Sequence, residues 1–247
     1  VGLFVMLQLD IGYILIPLGF IAFIELLLIL IVRTNSKQKM INTIINDEIV
    51  QIYNSSNGTT YSYESKPKIP KTFNVDMGMF TRSAAVSTVF AIKDTTSTFP
   101  FELYRCTLMT SNGKSSTVHF TGMYIRFFIP NIPRQQLLSR GKPHASGIKM
   151  VQVEGYEERL FTPLDSPETR INPILYGIFQ DLPNKFDLKA YHVGSNATEV
   201  HVAFTPKRRE KLPEEFTYQT IQEFSEPLMS YLTYVDEVRI QLAELAI

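Results

Sequence analysis

Residues 99–110, FPFELYRCTLMT, and residues 115–130, SSTVHFTGMYIRFFIP, flank Asn112-Gly113, and together they decide the fold class of this chain. Aromatic and β-branched residues dominate both runs, as they do in strands, and Asn-Gly supplies the positive φ angles that a tight hairpin turn requires. An antiparallel hairpin is expected here. Runs at 86–92, 148–153 and 159–162 add strands to it, broken by Pro, Gly, Asn and Ser. Further on, FDLKAYHV and EVHVAFTP alternate like strands around GSNAT, which predicts a second hairpin returning to the same sheet.

Helical spacing surrounds this β-rich middle. Met40, Ile41, Ile44, Ile45, Ile49, Ile52 and Tyr53 recur every three or four residues, predicting an amphipathic helix that reaches about Tyr53 and is ended by SSNG. Ile174, Leu175, Ile178, Phe179 and Leu182 share one apolar face behind Asn172-Pro173, a cap followed by a proline suited to the first helical position. Near the C-terminus Ser225 reads as a cap and Pro227 as first-turn. Leu228, Tyr231, Leu232, Val235, Val238, Leu242 and Leu245 then form a stripe. The expected class is α+β with a mainly antiparallel sheet.

The first thirty-two residues, VGLFVMLQLDIGYILIPLGFIAFIELLLILIV, contain no Lys or Arg and carry charge only at Asp10 and Glu25. As a helix, residues 11–32 would reach about 33 Å, enough for a hydrocarbon core of about 30 Å. No basic start or small-residue cleavage site marks a removable leader, so a retained span is expected. Arg33, Lys37 and Lys39 follow at once, and basic flanks stay on the cytoplasmic side. The expected organisation is a membrane segment at 1–33, a juxtamembrane helix at 34–56 and a cytosolic α+β domain at 57–247. Apolar residues 1–7, ahead of Gln8–Asp10, read as the tail of a preceding span, so a two-span hairpin is expected.

The expected cytosolic part carries twenty-four basic and twenty-two acidic residues, a net charge of +2, which argues against a dominant nucleic-acid surface. Cys106 stands alone, so an internal disulfide is excluded. Asn54, Asn57 and Asn196 each begin a glycosylation sequon, which a cytosolic location leaves unused. No Gly-rich phosphate loop, HExxH or GxSxG occurs, and no catalytic or cofactor-binding residue is assigned.

The order of features resembles a known family. An apolar two-span start precedes FPFELY at 99–104, HFTGMYIRFF at 119–128 and LDSPETRINPILYGIFQDL at 164–182. This resembles the bacterial "domain of unknown function 3137" family of two-span membrane proteins. Phe120, Gly122 and Tyr124 match its Phe-x-Gly-aromatic block. Asp165, Glu168 and Arg170 match its acidic turn, although Thr169 stands where that family has Ala. The resemblance covers most of 11–245. It implies a membrane-anchored bacterial protein and no reaction; with the basic flank at Arg33, Lys37 and Lys39, the expected location is the bacterial inner membrane with the folded part in the cytosol.

Each candidate for chemistry carries a plainer reading beside it. Glu25 lies mid-span, where an ionised carboxylate costs several kcal/mol unless paired or protonated. It serves either a polar contact with a neighbouring span or second protomer, or an ion relay whose partners this segment lacks. If Val193 and Val200 close the second hairpin, His192 and His201 face one another and could hold a divalent metal given a third ligand; otherwise they are ordinary exposed strand histidines. Cys106 and His119 could form a dyad across the first hairpin, or Cys106 is a core residue. Lys207, Arg208 and Arg209 could touch anionic headgroups, as could Arg33, Lys37 and Lys39, or the cluster is simply solvated beside Glu210, Glu214 and Glu215. The expected function is a membrane-anchored binding or scaffold domain without cofactor. Its partners are the lipid bilayer and a protein or second copy met through the membrane helices. The alternative is a membrane-tethered hydrolase or metal-dependent enzyme.

Overall fold

The computed structural model describes residues 24–26, 33–34, 36–69, 85–111, 113, 115–139, 142–143, 148–156, 159–164, 173–196, 198–207 and 216–244. The chain divides into two compact units, Val1–Ile44 and Ile45–Ile247. In the first, residues 24–26 and 36–43 are helical, and Gln38 donates to Asn42 one turn on at 2.9 Å. Among the described residues no helix is long and apolar enough to cross a membrane. The apolar run at 11–32, apart from residues 24–26, and the span expected before it lie outside the described residues.

The second unit takes in part of the helical stretch read at 34–56. A π-helix occupies Ile44–Val50, and helix α1 follows at Gln51–Asn57. The helix ends four residues beyond Tyr53 because Ser55 and Asn57 donate back to the carbonyls of Ile52 and Tyr53. Gly58, at φ +66°, then takes the left-handed conformation that stops it.

Nine strands among the described residues form one sheet: β1 Ser62–Ser65, β2 Ala85–Asp94, β3 Phe101–Ser111, β4 Ser116–Phe128, β5 Gln135–Leu138, β6 Met150–Gln152, β7 Arg159–Pro163, β8 Leu188–Ser195 and β9 Glu199–Pro206. Their order is β1-β2-β3-β4-β9-β8-β5-β7-β6, with every neighbouring pair antiparallel. Both expected hairpins are present, β3–β4 turning past Gly113 at φ +81° and β8–β9 at 196–198. Pairing of β4 with β9 joins them into one sheet. The short strands β1 and β5 were not anticipated. In β5 the sequence is QQLL, where all four residues are buried and no alternation marks a strand.

Period-two alternation gives the sheet two distinct faces. Phe101, Leu103, Ile125, Phe127, Val202, Phe204 and Val193 share one, and the helices pack there. Helices α2, Pro173–Gln180, and α3, Leu182–Lys185, precede β8, and α4 spans Tyr218–Ala243. Tyr231 of α4 meets the Phe204 ring edge-on at 5.2 Å, and Phe186 stacks on Phe204 at 5.7 Å. Tyr104, Cys106, Tyr124 and Ala203 face the other way and form a core cluster against which Ile69 packs.

Helix α4 is capped by Thr217, eight residues before the expected Ser225. Thr217 accepts from the Thr220 backbone N–H, and Thr220 reciprocates, so a capping box starts the helix there. Pro227 is consequently interior. Ser225 instead donates to the Ile221 carbonyl, and Gln219–Glu223 and Gln222–Glu226 pairs one turn apart hold the segment ahead of Pro227. The expected stripe from Leu228 to Leu242 is buried, joined by Phe224 and Tyr234, while Leu245 lies outside the described residues. Asp236 on this helix accepts hydrogen bonds from Tyr53 of α1, at 2.6 Å, and from Tyr61. Arg239 pairs with buried Asp94 at 2.5 Å. These links fasten α1 and the β1–β2 edge to α4.

Candidate functional site

Four central strands place a line of polar side chains on the face opposite the helices. The hairpin register sets Glu102 of β3 opposite Arg126 of β4, and Arg126 opposite His201 of β9. Arg126 pairs with Glu102 at 3.3 Å and with Glu199 more closely. Its guanidinium also lies over the Phe128 ring, 4.3 Å from the centroid. Glu199 accepts from His201 Nε2 at 2.7 Å, and the Tyr124 hydroxyl meets His201 Nδ1. Because a carboxylate only accepts, this network assigns the proton of a neutral His201 to Nε2, leaving Nδ1 to accept from Tyr124.

The electrostatics follow from these contacts. Burial raises the Glu199 carboxyl, but the hydrogen bonds from His201 and Arg126 outweigh it and hold it down at about 2. Burial likewise works against the charge on Arg126, yet Glu199 and Glu102 raise its pKa. Tyr124, fully buried, is pushed well above the ordinary tyrosine value by desolvation. A Tyr–His–Glu line has the connectivity of a proton relay, but its hydroxyl end faces no solvent. What the arrangement does is fix the register of β4 against β9.

His192 does not face His201. Ser195 pairs with Val200, Gly194 with His201 and His192 with Ala203, so the turn closes two residues later than a Val193–Val200 closure requires. The histidines share a face as diagonal neighbours. Neither is an ordinary exposed strand residue: His201 is 3% exposed, and His192 is half-buried with its Nε2 buried and, among the described residues, without a hydrogen-bond partner. Burial, and secondarily the charge of His201, lowers the His192 pKa to about 3. No group of three His, Cys, Asp or Glu among the described residues is arranged to hold a metal.

Cys106 is buried opposite Gly122, and burial pushes its thiol up to about 12. His119 is engaged elsewhere, bonding Thr110 at 2.7 Å, so the Cys106–His119 dyad does not form. Arg33 and Lys39 are exposed and Lys37 half-buried, Glu25 is helical and exposed, and Lys207 pairs with Asp187 at 2.6 Å on the surface. Arg208 and Arg209 lie outside the described residues. The sequence reading missed Glu102, Arg126, Glu199 and Tyr124. A signal existed: Arg126 interrupts MYIRFF, an otherwise apolar strand, and the Asn-Gly turn places it near Glu102.

A concave feature of the sheet lies at the other end of the β4–β9 pair. Their ladder stops at Met123–Phe204. Continuing it would set Thr121 opposite Pro206, which has no N–H to give. Gly122 is pressed against β9, and a Cβ there would stand 2.1 Å from the Phe204 carbonyl oxygen. Beyond this point a cleft of about 450 Å³ opens between β4, from Val118 to Met123, and the ends of β8 and β9. Arg105, His119, Lys189 and Lys207 line it, with no acidic residue among the described lining residues.

No family model matches the chain, and no curated protein matches it. Among solved structures, the crystal structure of the mycobacterial trehalose monomycolate transport factor A is similar, with a TM-score of 0.42 and 11% identity, over 73% of this chain and 92% of that one. A likeness of this degree carries no argument about activity.

Proposed function

We propose that this chain is a membrane-tethered binding domain of the bacterial inner membrane, related to the two-span family it resembles, and that its α+β unit presents the β4–β9 cleft to a partner in the cytosol. The observation that carries this reading is the contrast between two sites. Groups able to do chemistry, Cys106, Tyr124 and His201, are buried and His192 is half-buried within the core face, whereas the cleft is open and its two lysines, Lys189 and Lys207, are exposed. The anchor rests on the apolar length of residues 11–32 and on the flank of Arg33, Lys37 and Lys39.

Two experiments test it. A photo-crosslinking amino acid placed at Thr205 in the full chain should give a discrete adduct in cells, and the same residue placed at exposed Thr233 on α4 should not. A C-terminal alkaline phosphatase fusion should be inactive. Stoichiometric metal in the purified protein, lost in His192→Ala, would instead support the enzyme alternative, and an active phosphatase fusion would reverse the orientation.

A further inference from the structure

We propose that the cleft takes an acidic peptide segment in extended conformation, which adds to β4 as an extra strand. This deepens the binding-domain reading and rests on it. The cleft is bounded by the ends of two strands that have parted. Among the described residues, β4 over Ser116–Gly122 is paired with β3 along one edge, while its ladder with β9 does not begin until Met123. Those seven residues span about 23 Å of strand, room for a guest of similar length whose backbone continues the sheet. The volume of about 450 Å³ falls within the range of roughly 300–1,000 Å³ usual for ligand sites.

Charge selects the guest. Arg105 and His119 stand on the β3–β4 side and the exposed Lys189 and Lys207 on the β8–β9 side, so an extended chain between them passes two surface ammonium groups along one flank. Lys189 is exposed, and the nearby carboxylate, Asp187, is held by Lys207 in a pair that is itself about two-thirds exposed. Such a pair contributes little and yields readily to a competing carboxylate. Val118, Phe120 and Pro206 add apolar surface for the alternate side chains of a strand. A phospholipid headgroup would use the charges alone and leave the strand geometry without a role. The acidic peptide uses both.

The test uses the full chain in phosphatidylcholine nanodiscs and a fluorescent peptide of about eight residues alternating Val and Glu, with a Val-Lys peptide of the same length as control. The Val-Glu peptide should bind, the Val-Lys peptide should not, and the Lys189→Glu/Lys207→Glu variant should weaken binding by about tenfold or more. Both lysines are exposed, so that variant keeps its melting temperature. Amides of residues 117–121 should gain hydrogen-exchange protection when the peptide is bound. Equal binding of the two peptides, or binding indifferent to the charge reversal, overturns the proposal. So does binding of phosphatidylglycerol vesicles that depends on Lys189 and Lys207 when the Val-Glu peptide fails. A discrete adduct at Thr205 without Val-Glu binding removes the acidic strand and leaves the binding domain standing, whereas loss of the adduct removes both.

Discussion

Acid should destabilise this protein through His192 well before its carboxylates titrate. The ring nitrogen Nε2 is buried without a partner, and the folded-state pKa is about 3 against an ordinary 6.5. A group whose pKa is depressed by folding contributes its full stability above the unfolded value and loses it as pH falls towards the folded one, because the unfolded chain takes up the proton first. The window is therefore pH 6.5 down to about 3. At about pH 5 the unfolded form gains about 2 kcal/mol from this site, which lowers the melting temperature of a domain this size by about 4–8 °C.

Glu199 does not interfere with the reading. Its folded pKa is also depressed, to about 2, but its contribution is lost only below the ordinary value of 4.5. The measurement is a difference, so that contributions shared by both proteins cancel. Melting of wild type and of His192→Leu is followed by circular dichroism at about pH 7.5 and about pH 5, and the fall should be larger in wild type by the interval just derived. An equal fall in both proteins would refute the reasoning, and so would a His192 NMR titration with its midpoint near 6.5.

Gly122→Val should destabilise the sheet by about 3 kcal/mol or more, read as a lower urea midpoint, because its Cβ would stand 2.1 Å from the Phe204 carbonyl oxygen. Arg126→Ala should cost about 3–5 kcal/mol in the same assay by leaving Glu102 and Glu199 without their cation, and combining it with Glu199→Ala should restore part of the loss. Leu232→Ala on the fully buried stripe of α4 should cost about 2–5 kcal/mol with little change in far-ultraviolet circular dichroism at room temperature.

The hairpins, the α2 face and the α4 stripe were legible because each depends on local spacing and on turn or cap chemistry. Asn112-Gly113 and Pro173 are read within a few residues of themselves. Misreadings fell where a non-local contact decides between local options. Ser225-x-Pro227 is a sound start in isolation, yet the Thr217–Thr220 box lies upstream, and burial of Phe224 makes the longer helix favourable. For the β8–β9 turn, both closures keep His192 and His201 on one face. Asn196 chooses between them, since its side chain accepts from the Thr198 and Glu199 backbone N–H groups.

That two-residue difference decides the chemistry available to the sheet. With His201 opposite Gly194, its ring meets no second imidazole directly across β8. It turns to Glu199 on its own strand and Tyr124 on β4, and Glu199 in turn holds Arg126. Each member bonds the next, with Arg126 Nε alone in the line buried without a hydrogen bond, so these groups are engaged with one another. The same clamp aligns β4 and β9 from Met123 to Phe128, up to the point where Gly122 and Pro206 end the ladder. The polar line and the cleft are thus two ends of one strand pair. Loosening the clamp should alter the cleft, so Glu199→Gln should change Val-Glu peptide affinity although Glu199 is not among the cleft's lining residues; unchanged affinity in that variant would show that the two ends are mechanically independent.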